Sequence, residues 1–302
     1  MEVIDFNQYS GNMRFYGGEA GQKLGIVYEG ANWILKYPKS TRSLVNPKIS
    51  YTTSPLSEYI GSKVYESIGI PVHKTAIGYR DGKIVVACRD FLAKGERLVE
   101  FRDIKNTYNA ALFESGSSGS GTILSEVLTV IDENSALQKI QGVRERFWDM
   151  FVIDAYIGNH DRNNTNWGII TCDDELVGLA PVYDNGGALY DKRDDATFSI
   201  RANDERALYI DAVNSSISAY IGDDGHHINP ISYIVEKSNP HCNEAVARFA
   251  GRCDQKAIDD IIASIPMEAD GYRIIGKAQS EFYRKLLNIR HDLLCSVSSE
   301  LG

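Results

Sequence analysis

The sequence predicts an α+β protein of two lobes, a small β-rich one over residues 1–92 and a larger helical one over residues 93–302. Three observations carry this. "KLGIVYEGANWILKYP" and "HKTAIGYRDGKIVVACRDF" each hold two short apolar runs around turn residues, the pattern of β-hairpins. One fully punctuated helix lies between them. From about residue 93 the apolar spacing becomes helical, most clearly in "RERFWDMFVIDAYIG" (144–158) and the tail "GKAQSEFYRKLLNIRHDLLCSVSSEL".

In chain order, the first hairpin turns at "EGAN" and the second at Asp81-Gly82. In "SPLSEYIGSKVYESIGIP", Ser54 suits an N-cap, Pro55 the first helical position, and Gly69 with Pro71 the stop. Leu56, Ile60, Val64 and Ile68 fall four apart and make one apolar face, with Glu58 beside it. "SGSSGSG" (115–121) reads as a mobile loop. The 144–158 helix closes on Gly158, and two strand-like runs follow, "NWGIIT" and "LVGLAPVYD", around the turn "CDDE".

Composition narrows the class. With 302 residues, 43% hydrophobic and 24% charged, the chain fits an ordinary globular protein of one large domain or two lobes. The net charge of −9 argues against direct nucleic-acid binding, which needs a basic field. No apolar run nears the roughly 18–20 residues of a membrane span. No basic-then-apolar leader opens the chain, so a cytoplasmic location is expected, with export by another route or delivery to a host cell left open. Cys88, Cys172, Cys242, Cys253 and Cys295 are odd in number and lack C-x-x-C, which points to neither a zinc site nor a disulfide framework.

Four features carry chemistry. Gly17, Gly18 and Gly21 in "YGGEAGQK" would let backbone N–H groups approach an anion, although a plain turn has the same composition. Lys36 sits in an apolar strand, either as an edge lysine or as a phosphate-binding lysine held by Glu58 of the following helix. "HDRNNTN" spaces Asp161 and Asn166 as base and metal ligand are spaced in kinase catalytic loops; an Asx-rich turn would look alike. Asp184, at the end of an apolar strand and before Asn185-Gly186-Gly187, can chelate Mg²⁺ or simply open a turn. Their order along the chain is that of an ATP phosphotransferase, with nucleotide held between the lobes.

These segments, above all "FWDMFVIDAYIGNHDRNNTNWG" and "LAPVYDNGGALY", resemble the HipA-like serine/threonine kinases, in their compact CtkA-type form, and more distantly the phosphatidylinositol 3/4-kinases. The resemblance implies a bilobal protein-kinase-like fold and transfer of the γ-phosphate of Mg-ATP to protein hydroxyls, including the protein's own. It makes Asp161 the catalytic aspartate, Asn166 and Asp184 the Mg²⁺ ligands and Lys36 the α/β-phosphate ligand. The glycine loop would cover the phosphates, and "ACRDF" (87–91), with Cys88 and Phe91, would be the hinge that meets adenine through its backbone. Expected partners are a protein substrate and a regulatory protein, such as the antitoxin of a toxin pair. Residues 16–25 contain no Ser or Thr, so autoregulation would use another site, with Ser10 and the 115–121 loop the nearest. The alternatives are a small-molecule or phosphoinositide kinase, or a non-catalytic ATP- or partner-binding module.

Overall fold

The computed structural model describes residues 1–12, 23–112 and 119–301. The fold is mixed α+β, and the chain builds two compact units: residues 1–91, 185–212 and 254–289, and residues 92–184, 213–253 and 290–302.

The first unit is organised by a five-stranded sheet. Its strands are β1 (Ile4–Asp5), β2 (Lys23–Tyr28), β3 (Ala31–Lys36), β4 (Thr75–Arg80) and β5 (Lys83–Arg89), with helix α1 (Ser54–Ser67) between β3 and β4. The order is β1-β4-β5-β3-β2, antiparallel except for the β1–β4 pair. Both expected hairpins form. Each turn has two central residues at positive φ, Glu29 with Gly30 and Asp81 with Gly82, the geometry that matches strand twist.

Alternation along β3 sorts its side chains. Trp33 and Leu35 join Ile4, Phe6, Ile26, Val85 and Ala87 in a core on one face of the sheet. Lys36 is therefore on the opposite face, where α1 packs against β4 and β5. Leu56, Ile60, Val64 and Ile68 are all buried, as their spacing predicts. The helix start differs by one residue from the sequence expectation. Thr53 is the N-cap, since its carbonyl takes the N–H groups of Leu56 and Ser57, and Ser54 is the first helical residue. The Ser54 hydroxyl is paired with that of Thr52 at 2.8 Å.

The second unit holds a three-stranded antiparallel sheet of β6 (Glu96–Glu100), β7 (Gly168–Cys172) and β8 (Glu175–Leu179). It also holds helices α2 (Phe101–Leu112), α3 (Leu124–Glu133) and α4 (Val143–Ile157). β6 corrects the expectation of helix from residue 93 onward. Its partner β7 lies about seventy residues downstream, so the short run "ERLVE" gains its ladder from chain that no local window contains. α4 is buried over nearly its whole length and ends at Gly158, whose φ of 69° is the left-handed stop expected of a C-cap glycine. β8 stops at Leu179, short of Asp184, which was expected at a strand end; Asp184 instead has a φ of 60°. Among the described residues, no helix is long and apolar enough to cross a membrane.

Candidate active site

In the first unit, Lys36 and Glu58 meet. Lys36 Nζ lies 3.0 Å from Glu58 Oε2, with the lysine side chain 19% exposed and the carboxylate sealed at 2%. The sheet face and the helix register account for the meeting, since α1 turns Glu58 toward the strand that carries Lys36. His73, on the segment after Gly69 and Pro71, brings Nε2 to 2.8 Å from Glu58 Oε1. Burial alone would favour the neutral carboxyl. Lys36, His73 and the main chain at Asn185 outweigh it and hold the Glu58 carboxyl far below the usual carboxylate range.

Further buried groups extend this cluster. His73 Nε2 is 3.2 Å from the Ser62 hydroxyl, and Asn185 Nδ2 donates to that hydroxyl at 3.0 Å. Gly186 runs so close that a Cβ there would lie 3.3 Å from Glu58 Oε2. Cys88 is a β5 residue paired in register with Ile34 and Thr75, and its sulfur lies within 4.8 Å of ligand atoms of both Glu58 and His73. Such a donor trio has the chemistry of a soft-metal site, but the Lys36 ammonium on the same carboxylate repels a divalent cation. Of the segment expected as hinge, Ala87 to Arg89 are strand; the Asp90 N–H bonds Asn32 O at 2.9 Å, and Phe91 follows. Gly17, Gly18 and Gly21 lie outside the described residues.

In the second unit, the "NHDRNNTN" loop follows α4 and is built on a buried pair. Arg162 donates to Asp154 through Nε at 2.8 Å and Nη2 at 3.2 Å. Its Nη1 donates to the Asn166 carbonyl at 2.9 Å and to the Tyr183 carbonyl. Asn159 bonds the same Asp154 carboxylate at 3.0 Å, and its own side-chain oxygen takes the Asp161 N–H at 3.1 Å. Asn163 caps the turn, accepting from the Thr165 N–H and hydroxyl while its amide reaches the Asp161 carboxylate at 3.1 Å. Asn164 points inward and donates to the carbonyls of Gly119 and Gly121, both at 2.8 Å.

Asn166 is oriented by its own loop. Its amide nitrogen donates to the Asp161 carbonyl, and its Oδ1 accepts a long 3.3 Å bond from the Thr165 hydroxyl. The tyrosine before Asp184 is also fixed, with the Tyr183 hydroxyl donating to Thr165 O at 3.0 Å. Asp161, Asn166 and Asp184 thus belong to one braced stretch of chain. The sequence reading missed four supports: Asp154, His73, Ser62 and Asn185. Asp154 had a signal, a carboxylate inside the apolar run "FVIDAYI" that needs a buried cation.

A family model for the HipA-like C-terminal domain matches residues 18–257. The serine/threonine-protein kinase CtkA of Helicobacter pylori is 30% identical over 300 residues, which covers 99% of this chain and 88% of the relative. The crystal structure of a Helicobacter pylori proinflammatory kinase CtkA superposes with a TM-score of 0.87 at 29% identity, covering 100% of both chains. A chain from the Shewanella oneidensis MR-1 toxin–antitoxin complex of HipA, HipB and operator DNA is similar in fold alone. Its TM-score is 0.50 at 14% identity, over 99% of this chain and 67% of that one. The family match over most of the sequence and the near full-length identity lead to one assignment: this chain belongs to the HipA-like serine/threonine kinase family, beside its compact CtkA-type members.

Proposed function

We propose that this protein is an ATP-dependent serine/threonine protein kinase that phosphorylates protein hydroxyls, its own among them. The observation that carries the reading is the Lys36–Glu58 pair, a strand lysine 3.0 Å from a buried helix carboxylate. Kinases use that pair to bind the α/β-phosphates.

The remaining roles follow from the chemistry of each side chain. Asp161, half-buried and held by Asn163, orients the acceptor hydroxyl and takes its proton as the oxygen bonds to the γ-phosphorus and the bond to the ADP oxygen breaks. Asn166 Oδ1 and the Asp184 carboxylate are hard oxygen donors that fit Mg²⁺, and the turned amide of Asn166 supports this fit. The metal would neutralise phosphate charge. The loop with Gly17, Gly18 and Gly21 would cover the phosphates, while the main chain from Cys88 to Phe91 would meet adenine.

Transfer of label from [γ-³²P]ATP in the presence of Mg²⁺, to casein and to the protein itself, tests the reading. Wild type should label protein, and Asp161→Asn and Asp184→Asn should not. Equal transfer by both variants would overturn the site. Labelling of a lipid or an aminoglycoside in place of protein would overturn the substrate class.

A further inference from the structure

We propose that His73, supported by Ser62 and Asn185, is a positioning residue that fixes Glu58 and through it the phosphate-binding Lys36. The inference rests on the kinase reading for its consequence, but its geometry stands on one buried cluster. Glu58, Ser62, His73 and Asn185 are 1%, 2%, 5% and 0% exposed. Each has a partner in the next: Lys36 on Glu58 at 3.0 Å, Glu58 on His73 at 2.8 Å, His73 on Ser62 at 3.2 Å, and Ser62 on Asn185 at 3.0 Å.

The chemistry makes the chain directional. His73 Nε2 lies 2.8 Å from Glu58 Oε1 and makes its hydrogen bond with the Ser62 hydroxyl at 3.2 Å, so the imidazole meets that carboxylate oxygen as a close polar contact whose place Ser62 sets. One carboxylate oxygen faces His73, and the other is bonded by Lys36. Without the histidine the carboxylate keeps Lys36 and the Asn185 main chain but loses the support at Oε1, and the lysine's counter-charge is less tightly fixed. Ser62 stands one helical turn beyond Glu58 on α1 and braces the imidazole, while Asn185 braces Ser62. Asn185 is also the residue that follows Asp184 in the chain, so the phosphate lysine and the metal aspartate have supports next to one another in sequence.

A core histidine with no positioning role would affect stability and nothing else in the protein that remains folded. The full-length chain is therefore compared as wild type, His73→Leu, His73→Gln and Ser62→Ala, each checked by thermal melting. Two readouts are taken: the KM for ATP with casein as acceptor, and the rate at which N-hydroxysuccinimidyl acetate acetylates Lys36, measured by mass spectrometry. His73→Leu should raise the ATP KM about tenfold, the scale of one lost polar contact to a charged group, and speed Lys36 acetylation. His73→Gln, which keeps an amide donor at similar reach, should restore most of both. Ser62→Ala should move both in the direction of His73→Leu by less, and it carries the test if His73→Leu does not fold. In a Glu58→Gln background, His73→Leu should add nothing. Wild-type KM and acetylation in a folded His73→Leu or Ser62→Ala protein would overturn the proposal, as would His73→Gln behaving like His73→Leu. If wild type transfers no phosphate the kinase reading falls, and the acetylation rates still decide the positioning role.

Discussion

Arg162 and Asp154 form a forked ion pair in which both side chains are buried, at 2.8 and 3.2 Å. The guanidinium also donates to the main-chain carbonyls of Asn166 and Tyr183. One arginine therefore ties the end of α4 to the Asp161–Asn166 loop and to the stretch that leads into Asp184. Arg162 thus sets the position of the loop in which Asp161 and Asn166 are proposed to act.

Breaking this pair on one side leaves a buried charge without its counter-charge, at a cost of about 3–5 kcal/mol. Asp154→Leu should lower the unfolding free energy extrapolated from urea titration by that amount. Asp154→Leu with Arg162→Met should be less destabilised than Asp154→Leu alone, because no charge is stranded. Activity should stay low in the double variant, since the two carbonyls have lost their donor. Equal unfolding curves for wild type and Asp154→Leu would contradict the burial argument.

Asp161→Asn separates chemistry from structure. The Asn163 amide donates to the Asp161 carboxylate at 3.1 Å, and an asparagine oxygen accepts the same bond. The variant should melt with wild type while kcat falls about 10²–10⁴-fold, the scale of a lost acid–base group. A parallel fall in melting temperature would mean that Asp161 is a structural turn residue.

Local patterns made most of this architecture legible. Both hairpins, α1, α4 and the C-terminal helix Lys277–Leu301 follow from turn residues, apolar spacing and caps. The Lys36–Glu58 pair was expected from the strand-lysine and helix-glutamate pattern of kinases, with an edge-strand lysine as the other reading. Long-range pairing was not legible: β6 depends on β7, and His73 and Asn185 reach Glu58 only once the sheet, α1 and the later segment are packed. Spacing from Asp161 singled out Asn166 among the four asparagines of "NHDRNNTN" and left Asn159, Asn163 and Asn164 as turn formers. The fold gives them different tasks, with Asn159, Asn163 and Asn164 bonded within the loop and its supports, and Asn166 turned by the Asp161 carbonyl.

Glu58 makes stability depend on acid. Burial penalises its charge, but Lys36 and His73 hold its folded-state carboxyl below the ordinary value of 4.5. As pH falls, the unfolded chain is protonated first, so the stabilisation is complete above pH about 4.5 and is lost progressively below it. Urea unfolding from about pH 5 to about pH 3 should therefore show a steeper loss for wild type than for Glu58→Gln. Parallel slopes would refute the paired, ionised carboxylate.

Asp184 has a φ of 60°, a conformation that Asn adopts at least as easily as Asp. Asp184→Asn should thus keep the melting temperature and lose transfer, and chelation by EDTA should do the same to wild type. Asp184→Ala, forced into the same backbone, should be about 1 kcal/mol less stable than Asp184→Asn. Wild-type transfer by Asp184→Asn at limiting Mg²⁺ would remove Asp184 from the metal site.

Gly186 tests how tightly the Glu58 cluster is built. A Cβ at this position would lie 3.3 Å from Glu58 Oε2 and 3.4 Å from the Ser54 carbonyl. Neither neighbour can yield easily, because Ser54 O is main chain at the start of α1 and Glu58 is held by Lys36 and His73. Gly186→Ala should cost about 1 kcal/mol and raise the ATP KM modestly, and Gly186→Val should exceed it on both measures, within the usual 1–3 kcal/mol of overpacking. The two effects should rise together, since the added atoms press on the carboxylate that orients Lys36. A Gly186→Val protein with lowered stability and unchanged KM would show that Glu58 can move without moving the lysine, and the Lys36–Glu58 pair would lose its functional meaning.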